Sequence, residues 1–397
     1  MGNSSADGGT LGRLVRLAPI VRGLLADSTG DADLPYSPVI VKSLTNKEAV
    51  DFAGSAENAE AAQYPAPLIK GRRPPLFVDA VDADGSAEDA REQLDTAIGA
   101  YSEQFGSKPR IICLAGLGIL YVCEKDDTDL PLRNKVALVT GAAGAIGYGI
   151  CRGLLENGCR VAASDLAGRK LDSFTADLKQ TAGDRVIGVA IDVTDTESVA
   201  GGYDQIIQTW GGIDIVVVNA GIAMVSRLKE MDMEAFRKLQ KVNVEGTLLT
   251  LREIAKHFVL QGTGGDVIII STKNVPCPGA GFGAYSATKA ACHQLGRIAS
   301  LELAEFGVRV NMVAPDGVFS EGKYKSGLWA QVGPERMRAR GLDEEGLQDY
   351  YRNRNLLKIQ ITGRHVANAV LFFATRQTPT TGVTIPVDGG LPDATPR

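Results

Sequence analysis

The chain has little of what many site chemistries require. Its 3 His stand at 257, 293 and 365, so nothing ahead of position 257 can build a metal site on imidazoles. Its 6 Cys, at 113, 123, 151, 159, 277 and 292, form neither a Cys-x-x-Cys pair nor a Cys/His metal spacing. No metal is expected, and free thiols in a reducing cytoplasm are. With 42 Lys and Arg against 47 Asp and Glu, the net charge of -5 leaves no basic footprint for nucleic acid. No apolar run approaches the ~18 residues of a membrane span, and the N-terminus lacks a signal peptide's apolar core. Met1-Gly2-Asn3-Ser4-Ser5-Ala6 opens like a myristoylation signal, but Ala6 stands where Ser or Thr is needed, so this stretch reads as a flexible tail.

What remains is ordinary soluble-protein composition, 44% hydrophobic and 22% charged over 397 residues, enough for two domains. Leu11 to Ala26 reads as a helix interrupted by Pro19, and one that docks on the body rather than on a membrane. Strand and helix patterns then alternate: strand Val39 to Lys42, helix Lys47 to Ala62, strand Leu76 to Val81, helix Ala87 to Phe105, and strand Arg110 to Val122 with a Gly-Leu-Gly turn. Residues 1–130 are thus expected to form a small α/β module, closed by the linker Asp126 to Pro131.

From 131 to 397 the character changes. Val136 to Thr140 is a β-branched run of the buried parallel kind, followed by a glycine-rich turn and a helix from Tyr148 to Asn157. The strand signal repeats at Val161 to Ser164, Val186 to Ile191, Ile213 to Val218, Asp266 to Ile270, Val308 to Val313 and Val383 to Val387. Helical stretches separate these runs, which predicts a doubly wound parallel sheet with its site at the C-terminal strand ends.

Gly141, Gly144 and Gly147 lie between strand and helix, where close backbone approach lets amide groups hold a pyrophosphate. Asp165, after the second strand, can accept hydrogen bonds from an adenosine ribose and would repel a 2′-phosphate. No Arg or Lys lies in the glycine loop or immediately after Asp165, so NAD is expected over NADP. Tyr285 and Lys289 sit four apart in a helical stretch, on one face, where the ammonium can lower the phenol's pKa. Tyr121 and Lys125 repeat the spacing with no nucleotide loop upstream, so only the context distinguishes the first pair.

Together these residues resemble the short-chain dehydrogenase/reductase family from about Leu132 to Gly390. Thr140 to Gly147 is similar to its cofactor loop, with Ala145 where the middle Gly is usual and Ile146 before the last. The resemblance implies a Rossmann fold, an adenine contact at Asp192 and Val193, and the Asn219-Ala220-Gly221 turn. It also implies a nicotinamide contact from Pro315 to Val318, with Asp316 where Gly is usual, and a catalytic set of Asn243, Thr272, Tyr285 and Lys289. The hydroxyl member is read as Thr272, thirteen positions before Tyr285, with Ser271 its neighbour. The roles implied are a phenolate at Tyr285 that takes the alcohol proton, Lys289 assisting it and holding the nicotinamide ribose, Thr272 orienting the substrate oxygen, and Asn243 holding a water. The reaction expected is NAD-dependent interconversion of an alcohol and a carbonyl on a small polyol, hydroxyaldehyde or sugar derivative. A homodimer or homotetramer is also implied.

A narrower resemblance covers nearly the whole chain. Ser271 to Asn274, Ala314 to Phe319 and Leu356 to Lys358 are similar to the dehydrogenase half of bacterial fusions between a class II aldolase and a short-chain dehydrogenase, proteins that act on rhamnulose phosphate and lactaldehyde. The module before Pro131 resembles the tail of that aldolase without its metal-binding His. Residues 320–355 occupy the place of the family's substrate lid and carry Trp329, Tyr350, Tyr351, Arg352 and Arg354; the two arginines could meet a phosphate or carboxylate, but are read first as solvated helix-end cations. Two other readings stand beside the dehydrogenase. One is a catalytically weak cofactor-binding scaffold or sensor, which would bind NAD without turnover; the other is a working aldolase, whose retro-aldol activity a chelator would abolish.

Overall fold

The computed structural model describes residues 8–54, 73–79, 81–123 and 129–392. They fall into two compact units, one of Met1–Asp127 with Tyr203–Ile213 and His257–Thr263, the other of Thr128–Gly202, Asp214–Lys256 and Gly264–Arg397.

The second unit is built on seven strands: β1 Val136–Val139, β2 Arg160–Asp165, β3 Val186–Ala190, β4 Ile215–Val218, β5 Gly265–Ile270, β6 Val308–Pro315 and β7 Thr384–Val387. All neighbours pair in parallel, in the order β7-β6-β5-β4-β1-β2-β3. Every residue of β1, β4 and β5 is buried, which is why these strands read as continuous apolar runs instead of alternating ones. Helices α1 Ala145–Glu156, α2 Arg169–Ala182, α3 Thr196–Trp210, α4 Met233–Gln240, α5 Gly246–Gln261 and α6 Gly283–Glu302 follow strands β1 to β5 as crossovers. Between β6 and β7 come a short hairpin, Ser320–Glu321 with Tyr324–Lys325, then α7 Gly327–Arg340, α8 Glu344–Arg354 and α9 Gly363–Ala374. This is the doubly wound Rossmann sheet expected from the sequence. The strand order reverses between β1 and β4, and such a switch point opens a crevice at the C-terminal strand ends.

Two boundaries bear on the site. Helix α1 starts at Ala145, three residues before the expected Tyr148, because Gly144 caps it in an extended conformation without any side-chain cap to announce it. Strand β6 runs on past Val313 to Pro315, so its last residues reach the crevice.

The first unit contains a four-stranded sheet in the order Val41–Leu44, Gly118–Val122, Ile111–Leu114, Leu76–Val78, the last pair parallel and the others antiparallel. The helix Ala87–Phe105 lies where expected, opened by the Ser86 side chain, which accepts from Asp89 N, and closed by Gly106 at φ 69°. Contrary to expectation, Pro19 does not interrupt the first helix, which runs Gly8–Leu25. An internal proline costs about 3 kcal/mol, but each buried aliphatic side chain returns roughly 1.5–3 kcal/mol, and Leu14, Leu17, Ile20 and Val21 are all buried on the same helix. The helix expected to reach Ala62 is seen as Lys47–Ala53; its remainder, the Met1 to Ala6 tail, part of the Asp126 to Pro131 linker and Lys125 lie outside the described residues. None of the six cysteines is in a disulfide. Among the described residues no three His, Cys, Asp or Glu side chains are grouped to hold a metal, and no helix is long and apolar enough to cross a membrane.

Candidate active site and cofactor cleft

A cleft of about 730 Å³ opens in the second unit. The turn after each of the six strands β1 to β6 contributes to it, through Gly141 to Gly147, Asp165, Ile191 to Thr194, Asn219 to Ile222, Ile270 to Asn274 and Pro315 to Val318.

At one end the glycine loop is held by its neighbours. Gly141 has φ 60°, and a Cβ there would sit 2.7 Å from the Ala220 Cα, so only glycine fits. Asn219 Nδ2 donates to the carbonyls of Thr140 and Gly141 at 3.0 and 2.8 Å, and Thr140 Oγ1 accepts from the amides of Asn219 and Ala220 at 3.0 and 3.1 Å. Asn219-Ala220-Gly221 is therefore the buttress of the loop. A Cβ on Gly147 would lie 2.3 Å from the Ala142 carbonyl oxygen, which explains the third glycine. The Ala145 methyl packs into the core, so it does not crowd the turn. Helix α1 has no acid in its first turn and no side chain capping Gly144, so its leading amides keep their capacity for an anion. The cradle fits the pyrophosphate of a dinucleotide.

Asp165 accepts from Ala143 N at 3.1 Å and Leu166 N at 2.9 Å, which fixes the carboxylate beside the loop. Lys170, five residues on, brings Nζ to 3.4 Å from Asp165 Oδ2, so a cation does stand next to this carboxylate, although it is largely exposed. The first turn of α2 folds back on the strand end, a proximity that chain distance concealed. Asp192 Oδ1 accepts from Thr194 N and Oγ1 at 2.9 and 2.8 Å, and these bonds hold its carboxyl below the usual range. Val193 lines the cleft beside it.

At the other end, α6 presents Tyr285 and Lys289 side by side, both buried. The Thr272 hydroxyl stands near enough to the Tyr285 phenol to favour its ionisation, whereas Ser271 Oγ turns to His293 Nδ1 at 3.1 Å. Strand alternation thus separates the two hydroxyls, and Thr272 is the one facing the phenol. Lys289 Nζ donates to the Ile270 carbonyl at 2.8 Å. Burial pushes the Tyr285 phenol up, only partly offset by Thr272, and burial pulls the Lys289 ammonium down. In the protein alone, desolvation outweighs the lowering expected from the helical Tyr/Lys spacing.

Asn243 lies on a π-helical turn, Lys241–Glu245, between α4 and α5. Its Oδ1 accepts from Ile222 N at 2.9 Å, and its Nδ2 donates to Ile222 O and Thr288 Oγ1, each at 3.0 Å. The amide clamps the Gly221-Ile222 turn to α6. A Cβ on Gly221 would lie 3.3 Å from Asn243 Oδ1 and 3.4 Å from Lys289 Nζ, so the two groups flank one glycine.

Over this end lies the segment between β6 and β7. Trp329 stacks on Phe319 with centroids 4.4 Å apart and meets Tyr351 edge-on at 4.7 Å, while Val332 packs with Phe282 and Tyr285. Asp316 lines the cleft and pairs with Arg354, whose guanidinium lies 4.1 Å over the Tyr351 ring. Arg354 is therefore not the solvated helix-end cation expected; Arg352, paired with Asp349 at 2.8 Å on the surface, is. Arg336 escaped sequence reading altogether. Only its place one turn after the buried Val332 on an otherwise polar helix could have pointed to the cleft.

The Rossmann sheet, its glycine cradle and the buried Tyr/Lys pair define a nicotinamide-dependent oxidoreductase class. The sequence pattern of the short chain dehydrogenase family matches residues 135–329. An uncharacterized oxidoreductase of Bacillus subtilis is 36% identical over 280 residues, 70% of this chain and 40% of that protein, so the chain spans about two fifths of that relative's length. A sorbitol dehydrogenase of Cereibacter sphaeroides is 33% identical over 190 residues, 48% of this chain and 73% of the relative. The crystal structure of a sorbitol-6-phosphate 2-dehydrogenase from Erwinia amylovora superposes with a TM-score of 0.59 at 28% identity, covering 64% of this chain and 98% of that one. The chain belongs to the short-chain dehydrogenase family, whose oxidoreductases use a nicotinamide cofactor.

Proposed function

We propose that the protein is an NAD-dependent dehydrogenase that interconverts an alcohol and a carbonyl on a small polyol, hydroxyaldehyde or sugar derivative. The observation that carries this is that the buried side chains of Thr272, Tyr285 and Lys289 line the same cleft as the glycine cradle. When bound, the nicotinamide accepts the hydride from the alcohol carbon. The protein's task is the remaining proton. Thr272 orients the substrate oxygen, and Tyr285 as phenolate takes the hydroxyl proton. Lys289, with a single protein acceptor at Ile270, has donors left for the nicotinamide ribose, and its charge favours the phenolate. Asn243 positions α6 against the Gly221 turn, and the second lone pair of Oδ1 is available to a water leading the proton outward. The related sorbitol dehydrogenase and sorbitol-6-phosphate 2-dehydrogenase support the polyol class.

Gly141, Gly144, Ala145, Ile146 and Gly147 would hold the pyrophosphate, Asp165 the adenosine ribose, Asp192 and Val193 the adenine, and Pro315 to Val318 the nicotinamide amide. The fixed Asp165 carboxylate supports NAD, and Lys170 tempers the preference. A panel of polyols, lactaldehyde and sugar acids, assayed with each cofactor at the reduced nicotinamide absorbance, tests both parts. Turnover with NAD at a KM roughly 10-fold or more below that for NADP is expected, from one uncompensated charge contact worth ~1.4 kcal/mol or more. Equal KM values would sink the Asp165 argument, and no turnover despite NAD binding would favour the scaffold reading.

The chain is further proposed to divide at residues 130/131 and to be akin to the dehydrogenase half of aldolase fusions, in keeping with the much longer Bacillus subtilis relative. Six cysteines without a disulfide suit a reducing compartment such as the cytoplasm. A homodimer or homotetramer built on α4 to α6 is supported by exposed Leu248, Ile298 and Leu301 on those helices. Light scattering should give a mass of two or four chains; a monomer at micromolar concentration would count against it.

A further inference from the structure

Beyond Thr272 the cleft gathers three cations around one acid: Lys273, Arg336 and Arg354 line it with Asp316. Asp316 answers Arg354 alone, through their ion pair. Lys273 Nζ donates to the neutral Cys277 carbonyl at 3.2 Å. Arg336 lies 4.9 Å over the Phe282 ring and near enough to Tyr351 to lower its hydroxyl's pKa, and its Nε is buried without any hydrogen-bond partner. Among the described residues neither Lys273 nor Arg336 has an acidic partner. The Lys273 pKa is lowered by burial and further by Arg354 and Arg336 against the pull of Asp316, so the four groups share one electrostatic field.

Half-buried cations without a counter-ion destabilise the fold, and a site that keeps them takes its counter-charge from a ligand. The cofactor's own phosphates have a separate cradle at Gly141 to Gly147, after β1, with β4 between it and the β5 end that carries Lys273. Lys273 immediately follows the hydroxyl that faces the phenol, which puts the unanswered charge beside the reacting oxygen. Building on the dehydrogenase reading, we infer that the alcohol substrate carries an anionic group, carboxylate or phosphate, bound by Lys273 and Arg336 while Thr272 and Tyr285 hold its hydroxyl. Trp329 and Tyr351 then close an aromatic wall over the remaining carbon chain.

The test titrates the full chain with NADH bound, by calorimetry, using sorbitol, gluconate and sorbitol 6-phosphate, and repeats the series as NAD-dependent turnover. At least one anionic member should bind roughly 10-fold or more tighter than sorbitol, from charge-assisted hydrogen bonds worth ~1.5–3 kcal/mol. The other arm tells carboxylate from phosphate. In Lys273→Met and Arg336→Gln the anionic-to-neutral ratio of kcat/KM should collapse toward one, mainly through KM, and Arg336→Lys should recover part of it. Anionic probes that bind no better than sorbitol, or not at all, overturn the inference. So does a loss of NADH affinity in the variants parallel to the loss of anion binding, since the cations would then serve the cofactor. Failure of the dehydrogenase reading looks different: wild-type protein would bind no NADH or oxidise no alcohol, charged or neutral.

Discussion

Tyr285→Phe is expected to cut kcat/KM for alcohol oxidation by about 10²–10⁴-fold, the range for losing a positioned proton acceptor. The variant tests chemistry rather than folding, because the ring and its packing against Phe282, at 6.1 Å between centroids, are retained. Only the hydroxyl is lost, and Thr272 Oγ1 still accepts from Asn274 N at 3.3 Å, so about 1 kcal/mol of stability is at stake. NADH affinity should change little, since the glycine cradle and Lys289 are untouched. Steady-state kinetics on whichever alcohol the panel identifies, with NADH titration alongside, separates the two effects. Wild-type turnover in the Phe variant would remove Tyr285 from the mechanism and leave the cleft a binding site. Because Thr272 and Tyr285 act on the same substrate oxygen, Thr272→Ala combined with Tyr285→Phe should cost little more than Tyr285→Phe alone.

How much of this was legible in the chain follows from what each feature depends on. The buried strands β1, β4 and β5 were readable because parallel strands covered on both faces are apolar at every position, and their ends fell within two residues of expectation. The start of α1 was not, since a glycine cap leaves no side-chain mark. Pro19 misled because local propensity is a smaller term than burying Leu14, Leu17, Ile20 and Val21. At the site, the glycines announced themselves through backbone demands, and strand alternation separated Ser271 from Thr272. What the sequence hid were pairings across the fold. Lys170 reaches Asp165 through a helix turn, Asp316 is answered by Arg354 thirty-eight residues later, and Arg336 enters the cleft from a segment with no periodic apolar face. Charge pairing between distant segments leaves no local pattern.

Lys289→Met separates stability from catalysis in opposite directions. The ammonium is buried, its pKa is pulled down by desolvation, and its protein acceptor is the Ile270 carbonyl, so the wild type holds a charge that burial penalises. Methionine fills nearly the same volume without that charge, and the melting temperature should stay level or rise. Catalysis should fall by about 10²–10³-fold in kcat/KM, since the charge that favours the phenolate is gone. NADH affinity should drop roughly 10-fold with the loss of donors to the ribose. The pH profile carries the sharper signature. Oxidation needs Tyr285 deprotonated, so its rate rises with pH through the phenol's pKa in the cofactor-bound protein, and carbonyl reduction, which needs the proton, rises as pH falls. Burial already pushes that phenol up, and removing the neighbouring ammonium, a favourable charge for the phenolate, should push it further. The acid limb of the oxidation profile should therefore move to higher pH in Lys289→Met, and at alkaline pH part of the lost rate should return. A purely structural lysine would lower the rate at every pH alike and leave the limb where it was.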